Sequence, residues 1–331
     1  MNKPSAQAGD GRDELAHLLG PARRREVRRI ATRLLIALAL AAGPLYLVAV
    51  RADGLKEMGG LAVLTALLVG VPSYLILVAT PTAWRARVSA AGLPGAGAGI
   101  GLDQAPDAHG ARNALAAADG LGLLPDHTTR ELGVCLAGKL HGVPASVADV
   151  TLARTGGTGR RVVFKGLLIR FDLPRATGAK ATIRPRPGPV GRALGWLGAR
   201  LRGRRREAVR RGEVYTVVSD DPDGTAAWIT PAVLRALARI GRAEGRRLDT
   251  TTFASIAAGL LTRDMGAKAV TAGLQDDSFY LAIDRRAALI RGPHPFAAPS
   301  RPETLLRRWD RCASQALEPL DELLETAPFR A

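Results

Sequence analysis

The sequence predicts an α+β protein in which a two-helix N-terminal transmembrane hairpin precedes a largely antiparallel sheet domain with flanking helices. Two observations predict it. Two apolar runs, residues 30–50 and 59–80, are each about 20 residues, long enough to cross a bilayer as a helix. From residue 128 onward, short runs rich in Val, Ile, Leu, Phe and Thr alternate with Gly, Pro and Asp, the pattern of strands joined by turns rather than by helices.

Neither apolar run has a polar face, and helices apolar all round belong in membranes or in the cores of large proteins. Arg23, Arg24, Arg25, Arg28 and Arg29 precede the first run, and Arg85 and Arg87 follow the second. The connection between them balances Arg51 and Lys56 against Asp53 and Glu57. Lys and Arg beside a span stay cytoplasmic, so the expectation is a multi-pass protein of the cell inner membrane with both termini in the cytoplasm. Arg33, near the start of the first run, can snorkel to the interface. Ala39 and Gly43, four residues apart, offer a small-residue face for packing against the second span.

The chain has 331 residues and a net charge of +17, with only 4% aromatic residues. The predicted organisation is a basic N-terminal segment (1–29), the hairpin (30–80), a Gly/Ala linker (81–105), a cytoplasmic α+β domain (106–300) with an Arg-rich insertion at 184–212, and a C-terminal amphipathic helical region (301–331). Cys135 and Cys312 match no metal or redox spacing and read as small apolar fillers.

Strands are expected at 131–137, 143–154, 160–173, 179–184, 213–219, 226–230, 267–273 and 278–284. Turns are expected at 155–159 (TGGTG) and 275–277. A short Ala-rich helix fits 106–119. A second helix starts at the N-cap Thr230 with Pro231 in its first position, carries Val233, Leu234, Leu237 and Ile240 as an apolar stripe, and has Gly241 as a stop. Leu305, Trp309, Cys312, Ala316, Leu320 and Leu323 form a heptad-like stripe interrupted by Pro319, suited to packing on the sheet or to self-association. In the run around Phe164, Val163, Leu167, Ile169 and Phe171 share one face, and Val162, Phe164 and Leu168 the other. Both faces are apolar, as in a strand covered on both sides.

Residues 184–211 hold ten arginines against Glu207, which is +9 of the total charge. Arg192, Trp196, Arg200, Arg204, Arg205 and Arg206, with the interleaved leucines, make a surface suited to anionic lipid headgroups. A plain solvated loop and a nucleic-acid contact are the other readings, and the scarcity of aromatics weighs against nucleic acid.

Residues 162–174 (VVFKGLLIRFDLP), 214–237 (VYTVVSDDPDGTAAWITPAVLRAL) and 278–284 (SFYLAID) resemble the bacterial family called domain of unknown function 3137. The matching positions are Phe164 and Gly166, Ser219 and Asp220, Ala226, Thr230 and Pro231, and Tyr280 and Ala282. The resemblance spans roughly residues 30–285 and implies two membrane helices before the domain, but no activity. The chain departs from the family where an acidic, Phe-containing stretch precedes the Tyr-x-Ser run, since it keeps only Glu213 there.

Catalytic signatures are absent from the sequence. Gly95, Gly97, Gly99 and Gly101 alternate strictly and match neither a dinucleotide fingerprint nor a P-loop, so no cofactor is expected. No two histidines have metal-ligand spacing, and Asp220, Asp221 and Asp223 before Gly224 read as a turn. The resulting expectation is an integral inner-membrane protein whose cytoplasmic domain is a non-enzymatic binding or scaffold module, with the lipid bilayer, a protein or a second copy as partner. Two other classes fit the sequence: a membrane-anchored enzyme using His127, His141, Glu131 and Asp220–Asp223, and a membrane-attached nucleic-acid binder using the Arg-rich segment.

Overall fold

A computed structural model describes residues 13–51, 83–85, 87–89, 91–92, 101–104, 109–157, 159–186, 208–211, 214–248, 270–285, 289–290, 292–293, 295–297 and 301–329. The helices are α1 (Arg23–Arg51), α2 (His109–Gly120), α3 (Pro222–Trp228), α4 (Pro231–Leu248), α5 (Pro302–Leu317) and α6 (Asp321–Leu324). The strands are β1 (Leu102–Gln104), β2 (Thr129–Leu140), β3 (Val143–Gly156), β4 (Gly159–Asp172), β5 (Lys180–Pro185), β6 (Ala208–Arg211), β7 (Tyr215–Ser219), β8 (Val270–Gln275) and β9 (Ser278–Asp284). The chain divides into two units, residues 1–95 with 291–308, and residues 96–290 with 309–331.

In the first unit, Leu15, Leu19, Glu26 and Ile30 are buried at spacings of four, seven and four, one face of a helical segment. Glu26 sits 3.3 Å from Arg87 and 3.6 Å from Arg29. Arg23 Nε donates to the Pro295 carbonyl at 2.8 Å. These contacts bear directly on the predicted hairpin. The described side chains of α1 end at Ala39, and up to there the helix carries six arginines and a buried, ion-paired Glu26. Among the described residues no helix is long and apolar enough to cross a membrane. The transmembrane part of the fold class, and with it the multi-pass inner-membrane placement, is corrected on that ground. The second apolar run, 59–80, lies outside the described residues.

The second unit is built on a nine-stranded sheet in the order β1-β2-β3-β4-β9-β8-β5-β7-β6, with every neighbouring pair antiparallel. The α+β expectation and the antiparallel sheet hold. Two-residue turns explain much of the topology: His141-Gly142 joins β2 to β3, and Asp276-Asp277 joins β8 to β9. His141 and Gly142 both have positive φ, 50° and 85°, as the hairpin turn that matches strand twist requires.

Helices cover both faces of the sheet. On one face, Ala111, Ala114, Leu115 and Ala118 of α2, at helical spacing, pack against Ala148, Val150, Leu152, Phe164, Leu168 and Tyr280. On the other, Leu167, Ile169, Phe171, Phe279, Leu281 and Ile283 alternate inward and are all buried. That second face receives α4, where Tyr215 Oη donates to the Leu237 carbonyl at 3.2 Å. It also receives the C-terminus, where Phe329 stands edge-on to Phe171 and Phe279 at 5.7 and 5.3 Å. β4 is therefore covered on both sides, as its two apolar faces predict.

Several local expectations are corrected. Residues 226–230, read as a strand, belong mostly to α3, because Asp221 caps a helix with Pro222 in its first turn. α4 runs through Gly241, which is buried inside it rather than at its end. Cys312 is exposed, and Ala313 takes the buried position. A bulge between β3 and β4 leaves Val162 exposed and turns Val163 toward the α2 layer. The supposed linker contains β1, and the Arg-rich insertion ends in β6.

Candidate functional site: a groove beside His141

The tight β2–β3 turn projects His141 toward the C-terminal segment, where its Nε2 lies 2.9 Å from Asp321 Oδ1. Asp321 starts α6. Pro319 breaks the helix after Leu317 into a single 3₁₀ turn, Glu318–Leu320, and α6 follows at once. Leu317, Leu320, Leu323 and Leu324 are buried, Phe329 pins the chain after α6 to the sheet, and Arg239 of α4 pairs with Glu322 at 2.8 Å.

Two adjoining hollows result. One, of about 450 Å³, has Leu140, Leu317, Leu320 and Leu324 at its base and Arg311, Ser314, Gln315, Glu318 and Asp321 around it. The other, of about 600 Å³, lies between residues 142–144, Asp172, Pro174, Glu325 and Phe329. His141 and Leu324 line both, so the pair forms one groove with an apolar floor. Its charged rim is mostly acidic. Asp172 pairs with Arg170 at 2.9 Å, whereas Glu318 and Glu325 have no ion-pair partner among the described residues. Such a lining can bury apolar side chains and orient charged ones.

The residues of the enzyme reading do not converge. His127 and His141 lie beyond opposite ends of β2, which at about 3.3 Å per residue separates them by roughly 40 Å. His127 Nε2 accepts from Arg130 Nε at 2.8 Å, its Nδ1 lies 3.0 Å from the Pro125 carbonyl, and Glu131 pairs with Arg160. Asp220 Oδ1 accepts the Lys180 amide at 2.8 Å, tying the end of β7 to β5, and Asp221 Oδ1 accepts the Gly224 amide at 3.1 Å as the cap of α3. β7, which leads into them, lies five strand positions from β3, about 24 Å at the usual strand spacing. Among the described residues no three His, Cys, Asp or Glu side chains are grouped to hold a metal ion.

The positions carried by the family resemblance have structural roles. Phe164 and Tyr280 belong to the core under α2. A Cβ on Gly166 would overlap the Ile283 carbonyl oxygen of β9. Thr230 accepts the Val233 amide at 3.4 Å in front of α4, and Pro231 is the first residue of that helix. Arg192, Trp196, Arg200, Arg204, Arg205 and Arg206 lie outside the described residues.

One ionisable group is strongly perturbed. Asp149 of β3 sits under the segment after β9, and the Leu289 amide lies 3.0 Å from both its carboxylate oxygens. Burial pushes its carboxyl up to about 6, against the opposing pull of that amide, of Arg285 and Lys165, and of the Ile290 amide. The Cys135 thiol is also raised, by burial and then by Asp149, which disfavours a nucleophilic thiolate. Glu244 of α4 lies 3.6 Å from Arg285 and completes this buried charged group.

Sequence reasoning missed the groove because its walls come from residues near 141 and near 320. Two signals were available: a His-Gly pair between two apolar runs, and carboxylates at 318, 321, 322 and 325, one helical face.

No family model matches the chain. No curated protein matches it either. Among solved structures, the crystal structure of the mycobacterial trehalose monomycolate transport factor A, TtfA, aligns at a TM-score of 0.23 with 12% identity, over 61% of this chain and 78% of that one. A likeness at that score carries no argument about this chain.

Proposed function

We propose that the sheet unit is a non-enzymatic binding module that holds a segment of a protein partner in the groove beside His141. The observation that carries this reading is the groove itself: an apolar floor of leucines, a charged rim, and walls fixed by the sheet, by Phe329 and by the Arg239–Glu322 pair. A pre-formed apolar hollow bounded by polar groups suits a short segment anchored by one or two apolar side chains. The polar residues considered for catalysis support the reading from the other side, since His127, Glu131, Asp220 and Asp221 are engaged in a surface ion pair, a turn or a cap away from His141.

Selection of displayed peptides on the immobilised full chain tests it. Binders are expected that lose affinity when Gln315, exposed on the groove wall, is changed to Trp to fill the hollow. Binders indifferent to Gln315→Trp, or a failure to select any, would contradict the reading.

A further inference from the structure

Resting on the groove reading above, we infer that the occupant is a cationic amphipathic protein segment, with its apolar residues in the groove and its Lys or Arg side chains facing Glu318 and Glu325. The argument starts from charge. The chain carries +17 overall, yet residues 318–325 hold four carboxylates and no Lys or Arg. Glu318, Asp321 and Glu325 follow one another at three and four residues, so they line one side of the short helical run, and like charges at that spacing repel.

Two of the four carboxylates are already engaged within the fold. Asp321 is held by His141 and Glu322 by Arg239. Glu318 and Glu325 are exposed, have no ion-pair partner among the described residues, and line the two halves of the groove, one each. Leu320 and Leu324 alternate with them and form part of the floor. The groove therefore presents an apolar ridge beside an acidic stripe. Its complement is a segment with an apolar stripe beside a basic one, which relieves the repulsion among the carboxylates as it docks. An acidic segment adds to that repulsion, and a neutral one leaves it in place. The single rim arginine, Arg311, lies seven residues before Glu318 at the α5 end of the groove, and the rim sets four carboxylates, Asp172, Glu318, Asp321 and Glu325, against it.

Fluorescence anisotropy with the full chain tests the inference. The probe is a designed labelled peptide with Leu at helical spacing and Lys elsewhere; the control is the same peptide with Glu in place of Lys. The Lys peptide is expected to bind and the Glu peptide not to. Added salt should weaken the Lys peptide. Glu318→Gln combined with Glu325→Gln, both at exposed positions, should weaken it roughly three- to tenfold, while Gln315→Trp should abolish binding. If both peptides bind equally and Gln315→Trp abolishes both, the groove stands and the cationic occupant is refuted. If the Lys peptide binds but ignores both the Gln pair and Gln315→Trp, or binds not at all, the inference falls together with the groove reading.

Discussion

His141 and Asp321 are 180 residues apart in sequence, yet their side chains meet at 2.9 Å, tying the β2–β3 turn to the start of α6. The pair sits where the two hollows of the groove adjoin, and both members are substantially exposed, with 61% and 47% of their side-chain surface open to solvent.

Exposure limits what this bridge adds to stability. Asp321→Asn should change the free energy of unfolding by no more than about 1 kcal/mol. His141→Asn should be neutral or stabilising, because Asn followed by Gly suits the positive-φ turn. Denaturant unfolding of the two variants checks this, and a loss of several kcal/mol in either would mean that the bridge holds the fold.

Phe329→Ala should be far more costly. Its ring is buried between Phe171 and Phe279 and fixes the segment behind the groove. A loss of about 3–5 kcal/mol is expected, with the groove lost along with the pinned C-terminus. Phe164→Ala, on the opposite face, should cost a similar amount without touching the groove. Thermal unfolding with peptide binding separates the two: an unchanged melting temperature for Phe329→Ala would contradict the packing described.

Gly166→Ala puts a methyl group against the Ile283 carbonyl, where only a shift of β4 away from β9 can make room. The variant should be destabilised by more than 1 kcal/mol, in line with overpacking elsewhere. Wild-type stability of Gly166→Ala would show that β4 and β9 are not this close.

Asp149 gives the fold a pH dependence of known direction. Its carboxyl titrates near 6 when folded and near 3.8 in an unfolded chain, so the folded state binds the proton more tightly. The contribution is favourable and complete below about 3.8, shrinks as pH rises, and is gone above about 6. The difference amounts to something on the order of 3 kcal/mol. Wild type should therefore gain stability relative to Asp149→Asn as pH falls from 7 to 4. A gap between the two that does not vary with pH would refute the burial of this carboxylate.

Much of the sheet was legible because its strands are rich in β-branched and aliphatic residues and its turns are marked by glycine and aspartate. Residues 278–284 were read to the residue, and β2, β3 and β4 to within a few. β1 escaped because three residues among glycines carry no period, and β6 because its arginines resemble the solvated stretch before it. α3 was misread although Asp221-Pro222 is a helix start as well as a turn; the side-chain bond to Gly224 decides between them. The membrane hairpin rested on two apolar runs, their flanking arginines and the family resemblance, none of which registers that Glu26, in the same helix as the first run, is buried and ion-paired. The groove was illegible for a different reason: its floor and rim are assembled by tertiary contacts between distant segments.

Amide hydrogen exchange of the full chain, alone and with the strongest displayed peptide bound, tests the central claim most directly. Binding in the groove predicts slower exchange at residues 140–144 and 311–325, with α2 and the strands beneath it unchanged. Protection confined to other elements, or no protection at all under saturating peptide, would contradict it.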